Sequence, residues 1–174
     1  MKKFLVAVDL QNDFINGALG TKEAIAIVDN AASKIKYFDG EIFVTYDTHF
    51  NNYLSTSEGK KLPVPHCIKG TFGWELNEKI ADSLKGKRFT KVEKPTFGST
   101  ELAKLIEKAA NGEDFSIELI GLCTDICVVS NALLLKAAFY EKEISVSSAC
   151  CAGVTLQTHN AALETMKMCQ INII

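Results

Sequence analysis

The stretch SIELIGLCTDICVVSNALLL, Ser116 to Leu135, joins an apolar segment of strand length to an apolar segment of helix length through a short polar turn. Ser116 to Ile120 reads as a strand, Thr124 is placed as an N-cap, and Ile126 to Phe139 reads as the helix that follows. The same unit recurs along the chain. Strands are expected at Phe4 to Val8, Ile42 to Tyr46, Phe89 to Glu93 and Ile144 to Ser147, with a last one at Ile171 to Ile174. Between them apolar residues recur with helical period, as in Ala24, Ile27, Val28, Ala31, Ile35 and in Leu102, Leu105, Ile106, Ala109. Thr21 and Ser99 are placed to cap these two helices, and Gly40, Gly86 and Gly112 to follow helix ends. Strand-helix alternation along a whole chain implies parallel strands with helices on both faces, an α/β fold.

The chain of 174 residues fits one domain, and no repeat, low-complexity tract or linker divides it. Its 19 basic and 21 acidic side chains leave a net charge of −2, with no basic patch for nucleic acid. No apolar run is long enough to span a bilayer. The start, MKKFLVAVDLQNDF, reads as a first strand rather than a signal peptide, because only five apolar residues precede Asp9. Six irregularly spaced cysteines in a chain of this length are expected to be reduced, in a cytoplasmic protein. One segment breaks the rhythm: residues 50–72 show neither period, and a loop this long in a compact domain is expected to be functional, as a lid or binding loop.

In open parallel sheets ligands bind beyond the carboxyl ends of the strands, where strand order reverses. Asp9 ends the first strand, Asp47 and His49 the second, Lys94 the third, and Cys123 and Cys127 the fourth. Each residue type is common at a strand end; their convergence on one sheet edge is not explained by packing. With Thr124 as N-cap, Cys127 is the third helical residue. The positive end of the helix dipole is then expected to lower its pKa. A shift of two units, roughly 2.7 kcal/mol, exceeds what the dipole supplies, so Lys94 and Asp9 are the groups expected to assist. The backbone N–H groups of Cys123 and Cys127 are placed to hold one oxyanion. Cys67, Cys150, Cys151 and Cys169 read as packing residues, Asp13 as a turn cap, and His159 as structural.

Asp47 and His49 are two apart on an extended segment, so their side chains share a face and suit neighbouring positions on a divalent metal. His66, across the irregular loop, is a candidate third ligand, and Glu58 a candidate fourth.

These residues resemble the isochorismatase-like cysteine hydrolases, and within them the nicotinamidases. The resemblance lies in VAVDLQNDF (6–14), DTH (47–49), PHC (65–67), VEKPTFGS (92–99), GLCTDICV (121–128) and SSACCAGV (147–154), in the family's order. It implies a three-layer α/β/α domain on a six-stranded parallel sheet of order 3-2-1-4-5-6. Asp9, Lys94 and Cys127 then match the catalytic triad, and Asp47, His49 and His66 the ligands of a divalent metal, zinc before iron or manganese. Leu122–Cys123 matches a cis peptide that presents the oxyanion-binding N–H groups; Leu122 and Phe14 are the implied substrate-binding residues, Phe14 as an aromatic that stacks on a pyridine ring. The implied reaction hydrolyses nicotinamide to nicotinic acid and ammonia within NAD salvage, and relatives form dimers or tetramers.

Two positions depart from the pattern. Pro63 stands where nicotinamidases carry a second stacking tryptophan, with Tyr53, Phe50 and Trp74 as candidates to fill the gap. Cys123 replaces the alanine of the oxyanion turn, a small-for-small exchange. The nearest rival substrate is another small amide, or a carbamoyl or ureido compound. A phosphoacceptor receiver module would need an aspartate where Lys94 stands, and a pure scaffold would bind no metal and carry a thiol of ordinary reactivity.

Overall fold

The computed structural model describes residues 1–174. Six strands, β1 (Lys2–Val8), β2 (Glu41–Asp47), β3 (Phe89–Lys94), β4 (Phe115–Leu122), β5 (Glu143–Ala152) and β6 (Asn172–Ile173), form one sheet. They are all parallel and lie in the order β3-β2-β1-β4-β5-β6. The order reverses between β1 and β4, which opens a crevice beyond the carboxyl ends of those two strands. Seven helices accompany the sheet: α1 (Asn12–Ile15), α2 (Lys22–Tyr37), α3 (Ser57–Lys61), α4 (Glu78–Ser83), α5 (Thr100–Ala110), α6 (Val129–Ala138) and α7 (Leu156–Met168).

Two cores result from the pleat. Leu5, Ala7, Ile42, Val44, Ile120 and Leu122 face α2 and α4, whereas Phe4, Val6, Phe43, Ile117 and Leu119 face α5, α6 and α7. Each fully buried Leu, Ile or Phe contributes about 1.5–3 kcal/mol. The expected caps of the long helices are present. Thr21 accepts the Ala24 N–H at 3.0 Å, and Ser99 accepts that of Leu102 at 3.2 Å. Asn111, left-handed at φ 51°, ends α5 just ahead of Gly112.

Gly121 sits where β4 bulges against β5, at φ 121°, and a Cβ there would strike the Val8 carbonyl of β1. A side chain would therefore separate the two strands that define the crevice.

Several elements differ from the sequence expectation. The irregular segment holds α3, capped by the Thr56 hydroxyl on the Gly59 N–H at 3.0 Å, and 3₁₀ turns at Tyr53–Ser55 and Phe72–Trp74. None is long enough to display a period. Only Ala162 and Met166 of α7 are buried, so its apolar stripe is faint. Thr124 does not cap the helix after β4. Its hydroxyl bonds to His159 Nδ1 at 2.8 Å instead, and Thr124–Val128 forms a π turn entered from Cys123. All six cysteines are free, and no helix is long and apolar enough to cross a membrane.

Candidate active site

β1 delivers Asp9 to the floor of the crevice with its backbone at φ 48°, turning away from the strand direction. Its carboxylate is fully buried and held from two sides. The Thr45 hydroxyl of β2 donates to Oδ1 at 2.6 Å, and Lys94 Nζ lies 2.6 Å from Oδ2. Lys94 starts two strands away, at the end of β3, opposite Asp47 in register. Its four-carbon stem spans β2, so Nζ passes 3.5 Å from Asp47 Oδ1 on the way to Asp9. The same ammonium donates to the Thr96 carbonyl at 3.0 Å and approaches Cys127 Sγ at 3.6 Å. Aspartate, ammonium and thiol thus meet across the point where strand order reverses.

Burial pushes the Lys94 ammonium toward neutrality, but the charges of Asp9, Cys127 and Asp47 prevail and raise its pKa, so it stays charged. Asp9 is raised above the ordinary aspartate value by burial and by the charge of Asp47, against the pull of Lys94. Cys127 corrects the expectation of a lowered pKa. Burial, reinforced by the Asp9 charge, lifts the thiol well above its ordinary value, and Lys94 opposes this only in part. Cys127 is 5% exposed, and the single π turn in which it lies does not offset that desolvation. The resting site holds a charged ammonium and a neutral thiol, with Lys94 Nζ in contact with both the Asp9 carboxyl and the Cys127 sulfur. Alkylation of Cys127 by iodoacetamide, followed by peptide mapping against pH, is therefore expected to show a midpoint above 8.5, the ordinary thiol value. A midpoint below it would contradict this charge state.

Beside the triad lies a second cluster. Asp47, His49, Glu58 and His66 each offer one donor atom, and the four atoms lie within 4.8 Å of one another. His49 Nε2 is 2.9 Å from Asp47 Oδ2 and 3.7 Å from Glu58 Oε1; His66 Nε2 is 3.5 and 3.6 Å from the same two oxygens. Donors about 2.1 Å from an ion are separated by about 3.0–3.4 Å along an octahedral or tetrahedral edge, so the set fits a divalent metal. His66 Nδ1 bonds to the Val64 carbonyl at 2.8 Å, which leaves Nε2 for the ion. The structure brings Glu58 into the set with the other three.

The aromatic candidates separate. Phe14 is buried with its edge toward His66, ring centres 5.5 Å apart. Tyr53 packs edge-on against both histidines and donates its hydroxyl to the Leu62 carbonyl at 2.9 Å. Trp74 does not line the crevice as a wall. Its ring lies against Tyr46 and under Lys91 Nζ at 3.7 Å, and its indole N–H donates to Thr48 at 3.0 Å. Phe50 is exposed. The Leu122 side chain lies in the core facing α2, and the Leu122–Cys123 peptide is cis. Half-buried Cys123 has its thiol pushed up to about 12 by burial and the charge of Asp125. Sequence reasoning missed Thr45 and Gln11. Thr45 reads as an ordinary strand residue, and Gln11 carried no pattern of its own.

The sheet order and the polar cluster at the switch point define a doubly wound α/β domain, and its similarity to known proteins makes it a hydrolase acting on amide C–N bonds. Residues 3–174 match the isochorismatase domain, and the chain belongs to that family. Its fold superposes on nicotinamidase/pyrazinamidase PncA from Bacillus subtilis with a TM-score of 0.86, at 27% identity over 99% of each chain. The pyrazinamidase of Pyrococcus horikoshii, whose structure contains zinc, gives 0.77 at 25% identity over 100% of this chain and 99% of that one. The N-carbamoylsarcosine amidase of Thermoplasma acidophilum gives 0.76 at 25% identity over 99% and 95%. Among these relatives the chain is most similar to the nicotinamidases.

Proposed function

We propose that the protein hydrolyses nicotinamide to nicotinic acid and ammonia through a thioester on Cys127. Asp9, with its raised pKa, takes the thiol proton as the sulfur attacks the carboxamide carbon. Lys94 holds the carboxylate in place and offsets charge as the thiolate develops. The backbone N–H groups of Cys123 and Cys127 receive the oxyanion. Asp9 returns the proton to the departing ammonia, then activates the water that cleaves the acyl-enzyme. Asp47, His49, Glu58 and His66 would hold the metal, which would supply Lewis acidity toward the pyridine nitrogen. Phe14 is placed to pack on the ring.

The observation that carries this reading is the contact of one buried ammonium with both Asp9 and Cys127, beside a four-donor metal cluster. The packing of Trp74 away from the crevice, with Pro63 exposed at the loop, favours a second reading: a small carbamoyl compound, as in the relative from Thermoplasma acidophilum. Ammonia release from nicotinamide, pyrazinamide, benzamide and N-carbamoylsarcosine separates the two. Nicotinamide is expected to have the highest kcat/KM, and benzamide, without a ring nitrogen, to be poor. Preference for the carbamoyl compound would replace nicotinamide by the second reading.

A further inference from the structure

Two residues past Asp9 begin Gln11, Asn12 and Asp13, which the chemistry above does not use. Gln11 is fully buried, and its carboxamide is paired with the backbone of Asp47 as a strand would be. Oε1 accepts the Asp47 N–H at 2.8 Å, and Nε2 donates to the Asp47 carbonyl at 2.9 Å. The same Nε2 donates to the Trp74 carbonyl at 2.9 Å. Asn12 Nδ2 donates to the Phe72 carbonyl at 2.9 Å. Asp13 Oδ2 accepts the Cys67 N–H at 2.7 Å, immediately after His66, where the backbone stands at φ 46°. Gly73 is required beside it, because a Cβ there would occupy the space of the Asp13 carboxylate.

We infer that Gln11 and Asp13 are positioning residues for the metal centre, which rests on the proposed reading of the four-donor cluster. Two of its ligands, Asp47 and His66, come from segments 19 residues apart in sequence that share no strand. Gln11 fixes the backbone of the first, and Asp13 fixes the backbone that follows the second. Both side chains project from one short segment anchored to the central strand. The loop carrying His66 has only short helices of its own; one backbone bridge, His49 to Ile68, joins it to the end of β2, and the Gln11 and Asp13 side chains add the cross-links on either side of the ligands. Burial makes them effective: Gln11, Asp47 and Cys67 are buried, so removing either side chain leaves a buried backbone group without its partner.

The test is zinc affinity of the full chain, by chelator competition, for wild type, Gln11→Ala, Asp13→Ala and Asp13→Asn, with thermal unfolding of each in the metal-free form. Removing groups that support metal ligands weakens binding by roughly 10–100-fold, the effect expected for Gln11→Ala and Asp13→Ala. Asp13→Asn retains an acceptor for the Cys67 N–H and is expected to fall between wild type and Asp13→Ala. If Asp13→Ala does not fold, Asp13→Asn decides the matter by itself. Variants whose metal-free unfolding temperature drops while zinc affinity stays at the wild-type value would overturn the inference, as would a wild-type protein that binds no zinc. Nicotinamide turnover in the same preparations is a separate readout. Zinc affinity lost as expected in a protein inert toward nicotinamide would sink the substrate and leave the positioning role standing. Full nicotinamide turnover with unchanged zinc affinity in the variants would do the reverse.

Discussion

Cys127→Ala is expected to release ammonia from nicotinamide on the order of 10⁴-fold or more slowly than the wild type, the scale seen when a hydrolase loses its nucleophile. The exchange removes one sulfur from a packed position and leaves Asp9, Lys94 and the four side chains of the candidate metal cluster in place. Zinc content is therefore expected to match the wild type. Cys127→Ser makes the distinction sharper. A hydroxyl holds its proton far more tightly than a thiol, so the Asp9 carboxylate cannot ionise it, and turnover is expected to stay low although the shape is nearly preserved. Turnover near wild type in either variant would show that the thiol is not the attacking group.

Lys94→Met has the second large effect, on both stability and rate. Lys94 and Asp9 are both fully buried 2.6 Å apart, and removing one partner of such a pair costs about 3–5 kcal/mol because the other charge is left uncompensated. Against a total stability of about 5–15 kcal/mol, this is large enough to read directly as a lowered denaturation midpoint. The pH dependence has a definite sign. The folded pKa of Asp9 is already above its unfolded value, and loss of the ammonium raises it further. A raised carboxyl binds more protons in the folded state than in the unfolded state. Its penalty is then fully present above the folded pKa and is relieved as pH falls toward the ordinary aspartate value of about 4. The stability gap between Lys94→Met and wild type is expected to narrow on acidification, as measured by urea unfolding across pH. The double variant Asp9→Asn with Lys94→Met is expected to recover much of the loss, since no lone charge remains. A gap that widens on acidification would contradict the assignment. Without the ammonium that holds the Asp9 carboxyl and offsets charge developing on the sulfur, turnover is also expected to fall by about 10²–10⁴-fold.

Much of this arrangement is legible in the chain because strand ends are legible. An apolar run that stops at Asp9, Asp47 or the Cys123 turn marks both the end of a buried strand and the edge where polar atoms can gather, and Lys94 ends the largely exposed edge strand β3 beside them. Parallel order then places them together without any long-range information. The candidate ligands His66 and Glu58 were legible as residue types, although the short helix α3 that carries Glu58 was not, since five residues cannot show a period. What could not be read was the balance of burial against charge at Cys127. Helix position and neighbours argue for a thiolate, but desolvation depends on how completely the crevice closes over the sulfur. Thr124 fails for a related reason: a threonine before a helix suits a cap, yet here His159 on α7 claims its hydroxyl. Gln11 and Thr45 were silent because their function is to bond specific backbone and carboxylate atoms that only the folded sheet brings near.

The central claim is that amide hydrolysis passes through an acyl group on the Cys127 sulfur. The direct test is partitioning between water and hydroxylamine, with nicotinamide and methyl nicotinate as two donors of the same acyl group. One shared thioester requires the ratio of nicotinohydroxamate to nicotinic acid to be the same from both substrates at each hydroxylamine concentration. Ratios that differ between the two would mean that water attacks each substrate directly, and that the thiol carries no acyl group.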